Sequence, residues 1–394
     1  MGGLVIVGAG ECGVRAAFAL REAGFDGPVT LIGDEPHLPY ERPPLSKTFP
    51  TAPKHIAGED AYAAARIDLV RGRRVSAIDR AKKRIAFAEG GDLAYERLLI
   101  ATGSRASLFP GMEKARTLRT LSDAETTLGS LAPGKKLVIV GGGFIGLELA
   151  ATARKLGADV TVIEAAPRLM ARVVPTEIAS VAEARHRAEG VAFILGTQVR
   201  TVTETSIMLA DGHVIEADQV IAGVGALPNT ELAAAAGLAI ENGILVDGCF
   251  RTSDPDIFAA GDCCNFPYRE ARTRLESWRA AQDHGKHAAR AILGGEDAYQ
   301  RVPWFWSDQY DLTLQVAGLP DPAAASIRRD LGDGAFILFQ LAPDGSLLSA
   351  SGIGVENAVA KDIRLAEMMI EKGINPEPAK LADPTVNLKS LLRG

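Results

Sequence analysis

The stretch Leu4–Gly13 constrains the fold more strongly than any other part of this sequence. It joins the apolar run Leu4–Val7 to the glycine-rich segment Gly8-Ala9-Gly10-Glu11-Cys12-Gly13, and an alanine-rich helical segment follows. A buried strand, a GxGxxG turn and a helix start form the arrangement that binds the pyrophosphate of a dinucleotide. In it, Gly8 permits the tight turn, Gly10 lets the backbone approach the phosphates, and Gly13 lets the helix pack closely on the strand.

The same pattern occurs twice. After the first motif, the strand Val29–Ile32 ends in Asp34 and Glu35, where a carboxylate would bind a ribose hydroxyl. Later the chain repeats a strand (Leu137–Val140), a glycine turn, a helix and a strand. That second unit supplies Gly141, Gly143, Gly146 and, at its end, Glu164. Two complete units predict two nucleotide sites or a duplicated domain, and the intact glycines and acids in both units favour two sites.

Composition limits the other possibilities. With 394 residues and a net charge of −6, the chain has ample core and no overall basic character, so we expect no nucleic-acid partner. No apolar run is long enough for a membrane helix and no basic leader precedes the first strand, so we expect a cytoplasmic protein without membrane contact. The four cysteines lack a C-x-x-C spacing, which favours small buried thiols over a disulfide.

The remaining segments predict further elements. Four prolines make Pro36–Lys47 a rigid, irregular loop. Gly90-Gly91 predicts a hairpin, Ala101-Thr102-Gly103 a glycine turn after a strand, and Gly261-Asp262 a strand end. From Pro303 the chain reads as an α+β domain with short strands and a helix over Asn357–Lys372.

Two further segments are more specific: Arg42-Pro43-Pro44-Leu45-Ser46-Lys47 and Phe305-Trp306-Ser307-Asp308-Gln309. With them, nearly the whole chain resembles the oxygenase-coupled NADH–ferredoxin reductases, a family structurally related to apoptosis-inducing factor. The resemblance implies an α/β fold with two Rossmann-like dinucleotide-binding domains, in the glutathione-reductase-like arrangement, plus a C-terminal α+β domain. It implies an FAD-binding domain over 1–110 and 233–302, an NAD-binding domain over 111–232, and a C-terminal domain over 303–394.

The resemblance also implies FAD at the first glycine turn, NADH at the second, and no metal. The residues at the FAD would be Gly8, Gly10, Gly13, Asp34 or Glu35, Arg42, Lys47, Val75, Arg119, Asp262, Glu276, Ser277 and Trp306. The other cofactor-binding residues would be Ala101, Thr102, Gly103, Gly141, Gly143, Gly146, Glu164, Arg168 and Gly225. Without the resemblance, Asp262 could be a helix N-cap, Trp306 a core aromatic residue and Lys47 a solvated loop cation.

The expected catalytic residues are Lys47, Glu148 and Trp306. The resemblance places Lys47 and Glu148 together near flavin N5, and a partly buried lysine needs a counter-charge to remain protonated. The hypothesis predicts an ion pair shorter than about 4 Å. The alternative is that Glu148 is an exposed residue near the positive end of a helix. Glu164 would also favour NADH over NADPH, because a 2′-phosphate would meet its carboxylate. Arg168, nearby in the sequence, opposes this preference, since an arginine can accommodate the phosphate.

By the resemblance, the protein passes electrons from NADH through FAD to a two-iron ferredoxin that serves a monooxygenase or a Rieske-type dioxygenase. Docking an acidic ferredoxin would need a local basic cluster. Candidates are Arg328-Arg329 with Lys361 and Arg364, and Arg71 with Arg73-Arg74, although ordinary solvated charges would look the same.

The alternatives are an NADH oxidase, a quinone or monodehydroascorbate reductase, and an NADH-responsive binding protein like apoptosis-inducing factor. Redox-cysteine enzymes are disfavoured because Ser46 stands in the proline loop without a nearby thiol. We expect a monomer or a weak homodimer. The sequence does not identify the ferredoxin, the oxygenase or the final substrate.

Overall fold

The computed structural model describes residues 3–321 and 324–393. Its strands are β1 (Gly3–Val7), β2 (Val29–Ile32), β3 (Ile67–Val70), β4 (Val75–Asp79), β5 (Arg84–Phe87), β6 (Asp92–Ile100), β7 (Ser104–Ala106), β8 (Lys136–Val140), β9 (Asp159–Glu164), β10 (Ala192–Leu195), β11 (Val199–Val202), β12 (Ser206–Leu209), β13 (Val214–Glu216), β14 (Gln219–Ala222), β15 (Ala226–Pro228), β16 (Ile244–Leu245), β17 (Ile257–Ala259), β18 (Cys264–Tyr268), β19 (Ala271–Thr273), β20 (Trp304–Gln309), β21 (Leu312–Gly318), β22 (Ser326–Gly332), β23 (Ala335–Leu341) and β24 (Leu347–Val355). Its α-helices are α1 (Glu11–Glu22), α2 (Glu59–Ala64), α3 (Leu121–Gly129), α4 (Phe144–Lys155), α5 (Thr176–Ala188), α6 (Glu231–Ala235), α7 (Trp278–Ile292), α8 (Ala360–Glu371) and α9 (Pro378–Ala382). Short 3₁₀ turns cover Pro43–Ser46, Gly261–Cys263 and Leu388–Arg393.

The chain forms two compact units. The first contains Met1–Arg42, Pro53–Arg105 and Ala226–Arg301, and the second contains Pro43–Ala52, Ala106–Gly225 and Val302–Gly394. The proline-rich loop is therefore divided between the two units after Arg42. Its second part, although rich in proline, contains the 3₁₀ turn Pro43–Ser46, so the prediction that no regular structure forms there was wrong for these four residues. A 3₁₀ turn tolerates proline at its start because the first N–H groups need no partner within the turn.

The first unit is built on a parallel sheet of β3, β2, β1, β6 and β17. Strand β6 is long enough to pair with β1 and β17 at one end and, antiparallel, with β5 at the other. The central strands of this parallel sheet are apolar and buried on both faces, as the continuous run Leu4–Val7 predicts. Helices α1 and α7 pack against each other, and β16, β18 and β19 form a small separate sheet.

The second unit contains a second parallel sheet, in the order β10-β9-β8-β14. Helix α4 connects β8 to β9, which completes the second strand–turn–helix–strand repeat. Between β10 and β14 in the chain, strands β11, β12 and β13 form an antiparallel meander. Strands β12 and β13 form a hairpin that turns at Asp211-Gly212.

The C-terminal part of the second unit is a five-stranded antiparallel sheet in the order β20-β21-β24-β23-β22, with α8 packed on it. Strand β20 contains the Phe305–Gln309 motif and β22 contains Arg328 and Arg329; neither strand was predicted. After Asn375 the chain adds to the core of this domain, where Leu381 and Leu388 are buried. The α/β class with a C-terminal α+β domain is confirmed.

No helix in the described ranges is long and apolar enough to cross a membrane. The four cysteines are free and buried. Burial raises the pKa of the Cys12, Cys263 and Cys264 thiols, which disfavours thiolate chemistry at these positions. Among the described residues, no group of three or more His, Cys, Asp and Glu side chains could hold a metal ion.

Candidate functional site

The two glycine turns have the same geometry, one in each unit. A Cβ on Gly8 would lie 2.1 Å from the carbonyl oxygen of Ala101, and a Cβ on Gly141 would lie 2.3 Å from that of Gly223. Both glycines have positive φ, +114° and +109°. A side chain at either position would therefore both clash with backbone and strain the turn. Each turn therefore packs against the backbone just after the neighbouring strand of its sheet, which is β6 for the first turn and β14 for the second.

Each turn leaves one face open. Gly10 and Gly143 have no atom within 4 Å of where a Cβ would stand. Each is the N-cap of the following helix, α1 or α4, and no side chain caps either helix. The first N–H groups of a helix have no intrahelical partner and carry partial positive charge. The two turns thus present uncapped helix starts beside open space, which fits the pyrophosphate of a dinucleotide.

The acidic residues after each second strand are fixed by hydrogen bonds. In the first unit Glu35 accepts from the Tyr40 hydroxyl at 2.5 Å and from Arg42 Nη2 at 2.8 Å, while Asp34 is exposed. In the second, Glu164 accepts from the backbone N–H groups of Gly142 and Ala166, at 2.7 and 2.8 Å. A carboxylate oxygen can accept a second bond, so both groups retain the capacity to bind a ribose hydroxyl.

Several other predicted site residues of the first unit make hydrogen bonds within that unit. Asp262 accepts from the Ser104 hydroxyl at 2.8 Å and lies inside the 3₁₀ turn Gly261–Cys263, so it is not the N-cap of that turn. Thr102 donates to the carbonyl of Asn229 at 2.8 Å. Ser277 caps α7 through Ala280 N–H, at 3.2 Å. Val75 begins β4, Ala101 is buried, Gly103 has φ +67° and Glu276 contacts Arg274.

Within the second unit, three predicted residues have local roles. Arg119 donates its backbone N–H to Asp123 at 2.9 Å, next to the capping box of α3. The guanidinium of Arg168 binds the carbonyls of Leu169 and Ala171 in its own loop. Gly225 has φ +111° and open space on its Cβ side.

The predicted Lys47–Glu148 contact is confirmed: Nζ lies 3.5 Å from Glu148 Oε1. Glu148 is not an exposed helix residue, since its side chain is 8% exposed. Two hydroxyls donate to its carboxylate, Ser46 to Oε2 at 2.6 Å and Ser307 to Oε1 at 2.7 Å. Thr152 on α4 also donates to the Ser46 carbonyl, at 2.7 Å, so the loop is bound to the helix at two points.

A chain of hydrogen bonds continues from Glu148 into the unit. Gln309 Nε2 donates to the Ser307 hydroxyl at 3.1 Å, and Gln309 Oε1 lies 3.0 Å from Nε2 of the buried His186. Because the amide oxygen only accepts, this contact requires a proton on His186 Nε2. Burial, above all, lowers the pKa of His186 to about 4, so the ring is neutral at pH 7. Every donor in the chain therefore points toward Glu148.

Burial raises the pKa of Glu148, and the Lys47 charge and the two serine hydroxyls oppose that shift. For Asp308 the balance is reversed. Burial would raise its pKa, but hydrogen bonds and charge from Lys47, with Thr313 and Trp306, lower it overall. The two carboxylates around one lysine are therefore in different electrostatic environments.

Asp308, like Ser46 and Ser307, was not among the site residues predicted from the sequence. Its Oδ2 lies 2.9 Å from Lys47 Nζ and accepts from the Trp306 indole N–H, also at 2.9 Å. It belongs to the Phe305–Gln309 motif, which supplies the signal that could have identified it. Lys47 also lies 5.1 Å from the centre of the Trp306 ring, close enough for a cation–π contact.

The prediction that Arg328 and Arg329 form an exposed basic cluster was wrong for Arg329. Its side chain is 4% exposed, and its guanidinium lies among backbone carbonyls and Asp362. Arg328 is paired with Asp330 at 2.7 Å, and Arg364 with Glu367 at 2.6 Å. Arginines bound in this way do not form an open basic patch. Arg71 is likewise paired, with Glu59 at 2.8 Å, and Arg73 stacks on Phe87.

Comparisons with known proteins agree with this geometry. Residues 3–285 match the family described as pyridine nucleotide-disulphide oxidoreductase, and residues 304–392 match the reductase C-terminal domain. The chain is 41% identical to the anthranilate 1,2-dioxygenase system ferredoxin–NAD(+) reductase component of Burkholderia cepacia, covering 98% of both chains. It is 38% identical to the rhodocoxin reductase of Rhodococcus erythropolis, covering 98% of this chain and 93% of that protein.

A solved structure, the covalent putidaredoxin reductase–putidaredoxin complex, matches with a TM-score of 0.93 and 36% identity, over 100% of this chain and 98% of the other. The chain therefore belongs to the pyridine nucleotide-disulphide oxidoreductases and, within them, to the oxygenase-coupled ferredoxin reductase family.

Proposed function

We propose that this protein is an FAD-dependent NADH:ferredoxin reductase, which transfers electrons from NADH to a two-iron ferredoxin. The observation that carries the proposal is the pair of uncapped helix starts, at Gly10 and Gly143, each followed by an acid at the end of the next strand. Two dinucleotide sites in one chain suit a flavin and a pyridine nucleotide. The relatives described above, named as ferredoxin–NAD(+) reductase components, support the choice of acceptor.

The residues that would hold FAD are the first glycine turn, with Glu35 as the ribose acceptor because Asp34 is exposed. The second turn and Glu164 would hold NADH. When bound, these cofactors supply hydride acceptance and the passage of single electrons. The protein supplies binding, orientation and charge. We infer that the FAD-binding domain comprises 1–110 and 233–302, the NAD-binding domain 111–232, and the C-terminal domain 303–394.

Lys47, Glu148 and Trp306 would act in the hydride-transfer step. Lys47 is held as a cation between two carboxylates at 2.9 and 3.5 Å. A cation fixed in advance favours negative charge that develops during hydride transfer, without reorganisation at that moment. Glu148 is held by two hydroxyls, so it cannot turn away from Lys47 without losing both bonds.

The acceptor would be a small two-iron ferredoxin that serves a monooxygenase or a Rieske-type dioxygenase. We infer a cytoplasmic protein that is a monomer or a weak homodimer. Of the basic residues expected from the sequence to dock the partner, Arg74 remains the candidate, since Arg74 is exposed, whereas Arg329 is buried.

The test is anaerobic stopped-flow reduction of the FAD-loaded protein by NADH, followed by cytochrome c reduction with and without an added two-iron ferredoxin. We expect fast flavin reduction and cytochrome c reduction that depends on ferredoxin. Direct reduction of oxygen or a quinone at the same rate would indicate an oxidase or quinone reductase instead. Slow reduction with a stable charge-transfer band would indicate an NADH-responsive binding protein.

Lys47→Ala should slow flavin reduction by about tenfold or more while FAD stays bound. The matched control is Lys54→Ala, which removes a lysine that is 67% exposed and paired with Glu41 at 3.0 Å. A normal reduction rate in Lys47→Ala would contradict the role given to this lysine.

A further inference from the structure

Strand β20 separates two sets of side chains by its alternation. Trp304, Trp306 and Asp308 fall on one face, and Ser307 and Gln309 fall on the other. The second set is buried and forms the chain to His186 described above. The first set is half-buried, with the two indoles stacked at a centroid distance of 5.4 Å. One strand thus holds Glu148 from one face and Lys47 from the other.

Asp308 connects the groups on its face. Oδ2 accepts from Lys47 Nζ and from Trp306 Nε1, both at 2.9 Å. Oδ1 accepts from the Thr313 hydroxyl at 3.0 Å. Thr313 is the cross-strand partner of Asp308 in the β20–β21 hairpin, so backbone pairing sets the position of this bond. Both carboxylate oxygens are engaged, and the side chain has little freedom to rotate.

Asp308 is also the better hydrogen-bond partner of Lys47. The lysine lies 2.9 Å from Asp308 and 3.5 Å from Glu148, whose two oxygens already accept from serine hydroxyls. The lowered pKa of Asp308 keeps its charge at neutral pH, because its bonds to Lys47, Thr313 and Trp306 outweigh its burial. Glu148 lies farther from the ammonium group, and both of its oxygens are occupied by serine hydroxyls, so it is the weaker hydrogen-bond partner.

We propose that Asp308 is a positioning residue, which fixes the ammonium group of Lys47 and the indole of Trp306 in one arrangement for hydride transfer. The proposal rests on the proposed function, since it assigns the two positioned groups to the NADH-dependent step. It predicts that Asp308 acts through Lys47. Trp306 also stacks on Trp304, so the indole keeps a second support when Asp308 is replaced. The loss of Asp308 should therefore affect the rate mainly while Lys47 is present.

A double-mutant cycle tests this dependence. The variants are Asp308→Asn, Lys47→Met and the double variant, all loaded with FAD and reduced anaerobically by NADH. Asp308→Asn should lower the limiting rate by about tenfold, with the NADH concentration at half-saturation changing less than twofold. In the Lys47→Met background the same change should lower the rate by less than about twofold. Equal effects in both backgrounds would overturn the proposal.

A second readout needs no NADH. The protein has three tryptophans, so its indole ¹H–¹⁵N resonances are few, and Trp306→Phe identifies that of Trp306. Asp308→Asn should move this resonance upfield, because the indole N–H loses a charged acceptor. Thr313→Val, which leaves the Asp308 charge in place, should give a smaller shift in resonance and a smaller loss of rate. An unmoved resonance in Asp308→Asn would exclude the contact.

The control is Asp311→Asn, in the turn of the same hairpin. Asp311 is paired with Arg185 at 2.7 Å and is 52% exposed, so it matches the chemical change without touching the cluster. It should leave the rate and the Trp306 resonance unchanged. If NADH fails to reduce the wild-type protein, the proposed function is wrong and so is the catalytic part of this role. The resonance then still decides whether Asp308 holds Trp306.

Discussion

Arg329 allows a quantitative test of the packing of the C-terminal segment. Its guanidinium donates to four backbone carbonyls between Leu381 and Val386, at distances of 2.6 to 3.3 Å. Its Nε lies 3.4 Å from Asp362, on α8. One buried side chain on β22 therefore binds the turn after α9 and a charge on α8. Arg329→Met would keep most of the apolar stem and remove every one of these interactions.

The expected loss of stability follows from those contacts. Four hydrogen bonds to a charged group would sum to about 6–12 kcal/mol at 1.5–3 kcal/mol each. That sum is an upper bound, since the exposed carbonyls can bind water once the arginine is gone. Removing one member of a buried ion pair costs about 3–5 kcal/mol. A loss of about 3–5 kcal/mol would shift the equilibrium for local opening of the C-terminal segment by roughly 100-fold to several-thousand-fold.

Hydrogen exchange of the FAD-loaded protein measures this shift locally. Amides of β22 and of the residues between Pro378 and Leu388 should exchange at least about 100-fold faster in Arg329→Met. Arg328→Met is the matched control, because Arg328 is the neighbouring arginine on β22, is 46% exposed, and contacts Asp330 and the Phe336 ring. Protection of these amides within threefold of the wild type, or an equal loss in Arg328→Met, would refute the reasoning.

Three further predictions follow from the same structure. Glu164 should make NADH preferred over NADPH, because a 2′-phosphate would meet its carboxylate; equal catalytic efficiencies would contradict this. Gly141→Ala should abolish NADH-dependent flavin reduction but retain FAD, since its Cβ would lie 2.3 Å from a carbonyl in the second unit alone; Gly134→Ala, also at positive φ but with open space, is the control. His186 has its pKa lowered to about 4, mainly by burial, so it is neutral in the folded protein, whereas in the unfolded chain it binds a proton below about pH 6.5. The free energy of unfolding should therefore fall by about 2 kcal/mol from pH 7.5 to pH 5. His186→Gln should remove that part of the pH dependence in urea titrations.

The two dinucleotide-binding units were predictable from sequence patterns alone. Their signals are local: an apolar strand, glycines at fixed offsets and an acid after the next strand all lie within about 30 residues. Strand Val29–Ile32 was predicted at its observed limits, and Leu137–Val140 within one residue of β8. Such elements are recognisable because burial on both faces imposes a continuous apolar run.

The surroundings of the charged side chains became visible only in the folded chain. The dipeptide Arg328-Arg329 does not indicate which of its two arginines is buried. Only the alternation of β22 and the return of the chain after α9 bury Arg329 and leave Arg328 exposed. Likewise, Lys47 and Asp308 are separated by 261 residues, and no local pattern predicts which carboxylate would lie nearer the lysine. Hydrogen-bond distances depend on how distant strands and helices pack, and that packing is a property of the folded chain as a whole.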